Sequence, residues 1–84
     1  MSDQPKERPF GYTVYVNPKD FPGQYVVRGW NIAGGKTTFE ETPFYTGATG
    51  GGTLVTIRQM MRDDGRTCLN RNAADDPVIV ESWI

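Results

Sequence analysis

Thr53-Leu54-Val55-Thr56-Ile57-Arg58-Gln59-Met60-Met61-Arg62-Asp63-Asp64-Gly65 decides the fold of this chain. As a helix it makes the protein α+β; as half of a hairpin it makes it an all-β half-barrel. Leu54, Ile57 and Met61 recur at i, i+3 and i+7 with Met60 beside them, while Thr56, Arg58, Gln59 and Arg62 fall mostly elsewhere. That is the stripe of an amphipathic helix. Thr53 suits the N-cap and Gly65 the first position past the end. Two features oppose it. Val55, Thr56 and Ile57 are β-branched, and Asp63 and Asp64 sit at the negative end of a helix dipole. The competitor is a hairpin turning at Asp64-Gly65, with Arg66-Thr67-Cys68-Leu69 returning. The periodicity favours a helix over Leu54–Arg62.

Upstream lies a glycine-rich loop, Thr46-Gly47-Ala48-Thr49-Gly50-Gly51-Gly52. Free backbone N–H groups at a helix start can hold an anion. The candidate residues are Gly50, Gly51, Gly52 and Thr53, with Arg58 and Arg62 as nearby cations. The loop lacks the Gly-Lys-Ser/Thr ending of a phosphate-binding P-loop, and a plain connector is the competing reading. The arginines continue through Arg66 and Arg71, but Asp63, Asp64, Asp75 and Asp76 offset them.

Further out, Phe10 to Val16 alternates, with Phe10, Tyr12, Val14 and Val16 on one face and Gly11, Thr13 and Tyr15 on the other. Period-two alternation of β-branched and aromatic residues predicts a strand. Asn17-Pro18-Lys19-Asp20-Phe21-Pro22-Gly23 is turn chemistry. Gln24 to Ile32 then predicts a second strand, paired antiparallel with the first because the connection is short. It places Val26, Arg28, Trp30 and Ile32 on one face and Tyr25 and Val27 on the other. Ala33-Gly34-Gly35-Lys36 is another turn. Thr37-Thr38-Phe39 suits a short edge strand, since Glu40, Glu41 and Pro43 follow. Asn70 to Pro77 is polar loop, and Val78 to Ile84 predicts a last strand.

The chain has 84 residues, 37% hydrophobic and 23% charged. This suits one soluble domain over residues 10–84, preceded by a polar tail over residues 1–9. The longest apolar runs, such as Val78-Ile79-Val80, are far short of the roughly 20 residues of a membrane span. The polar start argues against a signal peptide, and the single Cys68 argues for a reducing compartment. We therefore expect a cytoplasmic protein without a membrane partner. With no histidine, His-based triads, Cys–His dyads and the usual zinc sites are excluded. A net charge of −1 argues against strong nucleic-acid binding. The pairs Glu40-Glu41, Asp63-Asp64 and Asp75-Asp76 lack calcium-loop spacing, so no metal is expected. Cys68 beside Leu69 reads as a small buried hydrophobe rather than a nucleophile.

Trp30, Trp83, Tyr25 and Phe21 are candidate surface aromatics as well as core residues. A strand at the chain end has no element after it to cover its edge, so Glu81, Trp83 and Ile84 are expected to bind a partner. The expected fold is α+β: an antiparallel sheet of three or four strands, in sequence order β-β-(β)-α-β, with one helix on one face. The expected function is a noncatalytic protein-interaction or regulatory module, without cofactor, binding a protein partner or forming a homodimer. It is not expected to be an enzyme, since a catalytic pocket of about 300 Å³ or more strains so small a core. A small-anion or nucleotide binder using loop 47–53 is the first alternative. A single-strand nucleic-acid binder using sheet aromatics is the second.

Overall fold

In the computed structural model, which describes residues 8–69 and 77–84, the chain folds as α+β. The elements are β1 (Gly11–Val16), β2 (Gln24–Ala33), β3 (Lys36–Phe39), β4 (Tyr45–Ala48), α1 (Thr53–Asp63), β5 (Cys68–Leu69) and β6 (Ile79–Trp83). All six strands join one antiparallel sheet in the order β3-β2-β1-β6-β5, with β4 also on β2. The sheet is thus larger than the three or four strands expected, and its sequence order differs. The additions are β4, which overlaps the stretch read as glycine loop, and β5, which falls in the stretch that only the competing hairpin reading extended. Both are short and gain order from the strand beside them rather than from their own pattern.

β2 organises the sheet. Its N-terminal half pairs with β4 and its C-terminal half with β3, so these two strands lie end to end along one edge. The β2–β3 turn is Gly34-Gly35, both at positive φ (59° and 77°), as a two-residue type I′ hairpin requires. The register of β1 on β2 sets the faces: Tyr12 lies opposite Gly29, Val14 opposite Val27, and Gly11 opposite Trp30. On the core face, Tyr12, Val14, Val27 and Trp83 pack against Ile57 and Met61 of α1, with Leu54, Met60 and Val80 at the margin. Leu54 is half-buried rather than central. β6 pairs with β1 through a bulge: Val14 faces Glu81 and Tyr15 faces Ile79, so Val80 is skipped. The strand expected over Val78 to Ile84 therefore does not alternate evenly.

The helix prevails over the hairpin because its stripe meets this core and its end is well closed. Gly65 N–H donates to Arg62 O and Arg66 N–H to Met61 O, the paired bonds of a Schellman motif, with Gly65 at φ +76°. The ill-placed Asp64 is offset by Arg66 and Arg8, which both pair with it. The start differs from expectation. The N-cap is Gly52, not Thr53, whose hydroxyl donates back to Gly50 O at 3.2 Å. Most of the expected tail, residues 1–7, and residues 70–76 of the expected loop lie outside the described residues.

Ile57 is fully buried and Val55 exposed. Ile57→Ala should therefore cost about 2–5 kcal/mol. Val55→Ala should change stability by under about 0.5 kcal/mol. Urea unfolding of the two variants checks the helix phase.

Candidate functional site

The expected partner-binding trio is split by the fold. β6 is not an edge strand; it lies between β1 and β5, and Thr67 and Ile84 exchange both backbone hydrogen bonds. Trp83 is only 3% exposed, in the core opposite Tyr12. Glu81, 6% exposed, accepts from the Trp83 indole N–H at 2.8 Å. Arg58 closes on the same carboxylate, with Nε 3.2 Å from each oxygen and a terminal nitrogen 2.9 Å from Oε1. Of the three, Ile84 is exposed. Trp83 sits inside because its side chain is on the face that α1 covers, while residues 68–69 pair with the backbone edge.

The same ion pair bears on the glycine loop. Gly50, Gly51 and Gly52 are exposed at the start of α1, but Arg58 points to Glu81 on the sheet. Hydrogen bonding to Glu81 holds the Arg58 pKa above its ordinary value, against the opposing effect of burial. Arg62 is exposed in the last turn, at the opposite end of the helix from the loop. The structure thus brings neither arginine to the loop amides. Cys68 is exposed rather than buried, and partial burial followed by the Glu81 charge raises its thiol pKa. That is opposite to the depression that activates a nucleophile.

An open cleft of about 360 Å³ lies between the N-terminal segment Arg8–Pro9 and the β3–β4 connection. Tyr12 and Phe44 form its aromatic wall, with ring centroids 4.8 Å apart. Arg8 and Glu40 flank it, and Arg8 is already paired with Asp64. The Arg66 guanidinium stacks 4.5 Å from the Tyr12 ring centre and donates to the carbonyls of Pro9 and Phe10. This ties the N-terminal segment to the end of α1. The cleft exceeds the roughly 300 Å³ of a small catalytic pocket, but it is an open surface feature rather than a cavity in the core.

The other face of the sheet carries the most exposed apolar surface. No helix of the described residues covers it, because α1 occupies the opposite side. The register Gly11–Trp30–Phe39 runs across three strands, and Trp30 lies over Gly11, where a Cβ would collide with its ring. Ile84 follows Trp83, so by alternation it shares the face of Gly11. Phe10 precedes β1 and leaves the expected Tyr12 face; its ring packs 5.4 Å from Trp30. Phe10, Ile32, Phe39 and Ile84 are 42–56% exposed. The Trp30 indole N–H is shielded and has no hydrogen-bond partner among the described residues.

Arg28 shares this face but is committed. It donates to Glu40 O at 3.1 Å, to Glu41 O, and to Asp20 at 2.9 Å. Sequence reasoning named Trp30 as a surface aromatic but missed Phe10, Ile32 and Phe39. The signal was present in Gly34-Gly35: a two-residue hairpin turn pairs Ala33 with Lys36 and so puts Phe39 opposite Trp30. No protein-family model, curated protein or solved structure matches the chain.

Two outcomes follow from these side chains. Arg58→Ala leaves a buried carboxylate with one donor, and such losses cost about 3–5 kcal/mol when fully dry. The Arg58 side chain is 39% exposed, so water can enter and about 1–3 kcal/mol is expected by urea unfolding. Burial, the largest cause, raises the pKa of both Tyr12 and Tyr15 above the ordinary 10.0. Their phenols lose protons less readily folded than unfolded, so this stability is intact below pH 10.0 and is lost as pH rises above it. Melting temperature against pH, with tyrosinate absorbance, measures this.

Proposed function

We propose that the protein is a noncatalytic interaction module that presents the helix-free face of its sheet to a protein partner. The observation that carries this is the apolar strip of exposed Phe10, Ile32, Phe39 and Ile84 about the half-buried Trp30. Contiguous apolar surface of this kind is costly to leave in water, and aromatic side chains are the usual anchors of protein interfaces.

The alternatives draw less support from the geometry. The anion site needs Arg58 near the glycine loop, and Arg58 serves Glu81. The nucleic-acid site needs cations among the sheet aromatics, and the guanidinium on that face serves the chain's own loops. A cytosolic setting fits the single exposed Cys68, which a reducing compartment keeps as a thiol. No helix among the described residues is long and apolar enough to cross a membrane.

The test is affinity capture from a native lysate with mass-spectrometric identification, wild type against Phe10→Ala/Ile32→Glu. Both positions are exposed, so the variant should keep its fold. It should lose the captured protein, or bind it at least about tenfold more weakly. Equal capture by both proteins would show that the strip is not the working surface.

A further inference from the structure

The outer edge of β3 carries its own pattern. Glu40 N–H donates to Gly29 O at 2.9 Å, which makes Glu40 a residue bonded inward to β2. In an antiparallel ladder the bonded positions alternate, so Lys36 and Thr38 also face β2, while Thr37 and Phe39 turn their N–H and C=O groups outward. No strand of the described residues takes those outward groups, and Lys36 to Phe39 are all exposed. The edge is charged with opposite signs at its two ends: Lys36 begins it and Glu40-Glu41 ends it. Arg28 holds the carbonyls of Glu40 and Glu41, which fixes the acidic end. The Glu40 side chain leans over Gly29 beside the cleft, and its carboxylate makes no hydrogen bond or ion pair among the described residues, so it can swing to a neighbouring chain.

We propose that two copies of this chain pair antiparallel through β3, about a two-fold axis at Thr38. This inference concerns the sheet's edge rather than its face and does not rest on the reading above. In this register Thr37 meets Phe39 of the second copy, so every outward N–H and C=O of each strand finds its complement. Lys36 falls directly opposite Glu40 of the second copy, on the same face, and the reciprocal pair forms by symmetry. Gly35 falls opposite Glu41, where a missing side chain leaves room for the acid.

The neighbouring registers that also match outward groups fare worse. Centring on Thr37 sets Glu40 opposite Gly34, with no cation. Centring on Phe39 sets Glu40 opposite Thr38 and brings the two acidic ends together, which costs energy. Charge thus selects one register, and the occupant that supplies both charges in mirror order is another β3.

The experiment measures the oligomeric state by sedimentation velocity over a concentration series. Wild type should show a monomer–dimer equilibrium. Lys36→Glu and Glu40→Lys should each weaken it by about tenfold, and the double exchange should restore it. Lys36 and Glu40 point away from the face bearing Ile32 and Phe39, so capture of another protein by that face should survive these changes. The register is read by cross-linking in a Cys68→Ser background. Thr38→Cys should give a disulfide-linked dimer on mild oxidation, since the two copies of residue 38 are direct neighbours. Lys36→Cys should not, because four residues of offset separate its copies by about 13 Å. A monomer at every concentration would overturn the proposal. So would a dimer indifferent to both charge changes, or equal cross-linking at positions 36 and 38.

Discussion

A buried carboxylate organises this protein. Glu81 lies inside the sheet on β6 and is held by the Arg58 fork and the Trp83 indole. An ion pair of this kind adds little net stability over a hydrophobic substitute, yet breaking it is expensive because one charge is left in a poor solvent. It admits one position of α1 over the sheet, with Ile57 and Met61 on the core, and it turns Trp83 inward. The same contact takes Arg58 away from the glycine loop, so a structural demand has removed a cation from the most suggestive motif in the sequence.

A single helix is short cover for this sheet. The 11 residues of α1 reach roughly 16 Å at 1.5 Å per residue. They suffice for one face, and the other must be managed strand by strand. Trp30 folds over Gly11, Arg28 staples the β1–β2 turn to the end of β3, and Thr13 shares a hydroxyl hydrogen bond with Ser82 at 3.0 Å. These devices cover the middle of the face and leave its apolar rim in water. The exposure of Ile32, Phe39 and Ile84 is thus a consequence of the architecture as well as the basis for an interaction surface. Natural sheets blunt free edges with charge. Here the charge on β3 is split in sign along the strand, which repels little and suits a copy of itself.

The α+β class, the β1–β2 hairpin, the helix and its closing Gly65 were legible in the sequence, because each rests on local chemistry: alternation, a 3.6-residue stripe, turn residues and a left-handed glycine. The edge character of β3 was legible too, from Glu40, Glu41 and Pro43. The strands β4 and β5 were not. Tyr45–Ala48 contains a glycine and Cys68–Leu69 is two residues long, and neither carries a period that could be read. They are strands because β2 and β6 offer them open ladders. The fates of Trp83, Glu81 and Arg58 were equally hidden, since residues 23 positions apart make the pair and nothing local announces it. By itself the sequence determined where β1, β2, β6 and α1 form and where the turns between them fall, since those preferences act over a few residues. Only the tertiary structure decided which aromatics are core and which are surface, because that depends on which face of a shared sheet the one helix covers.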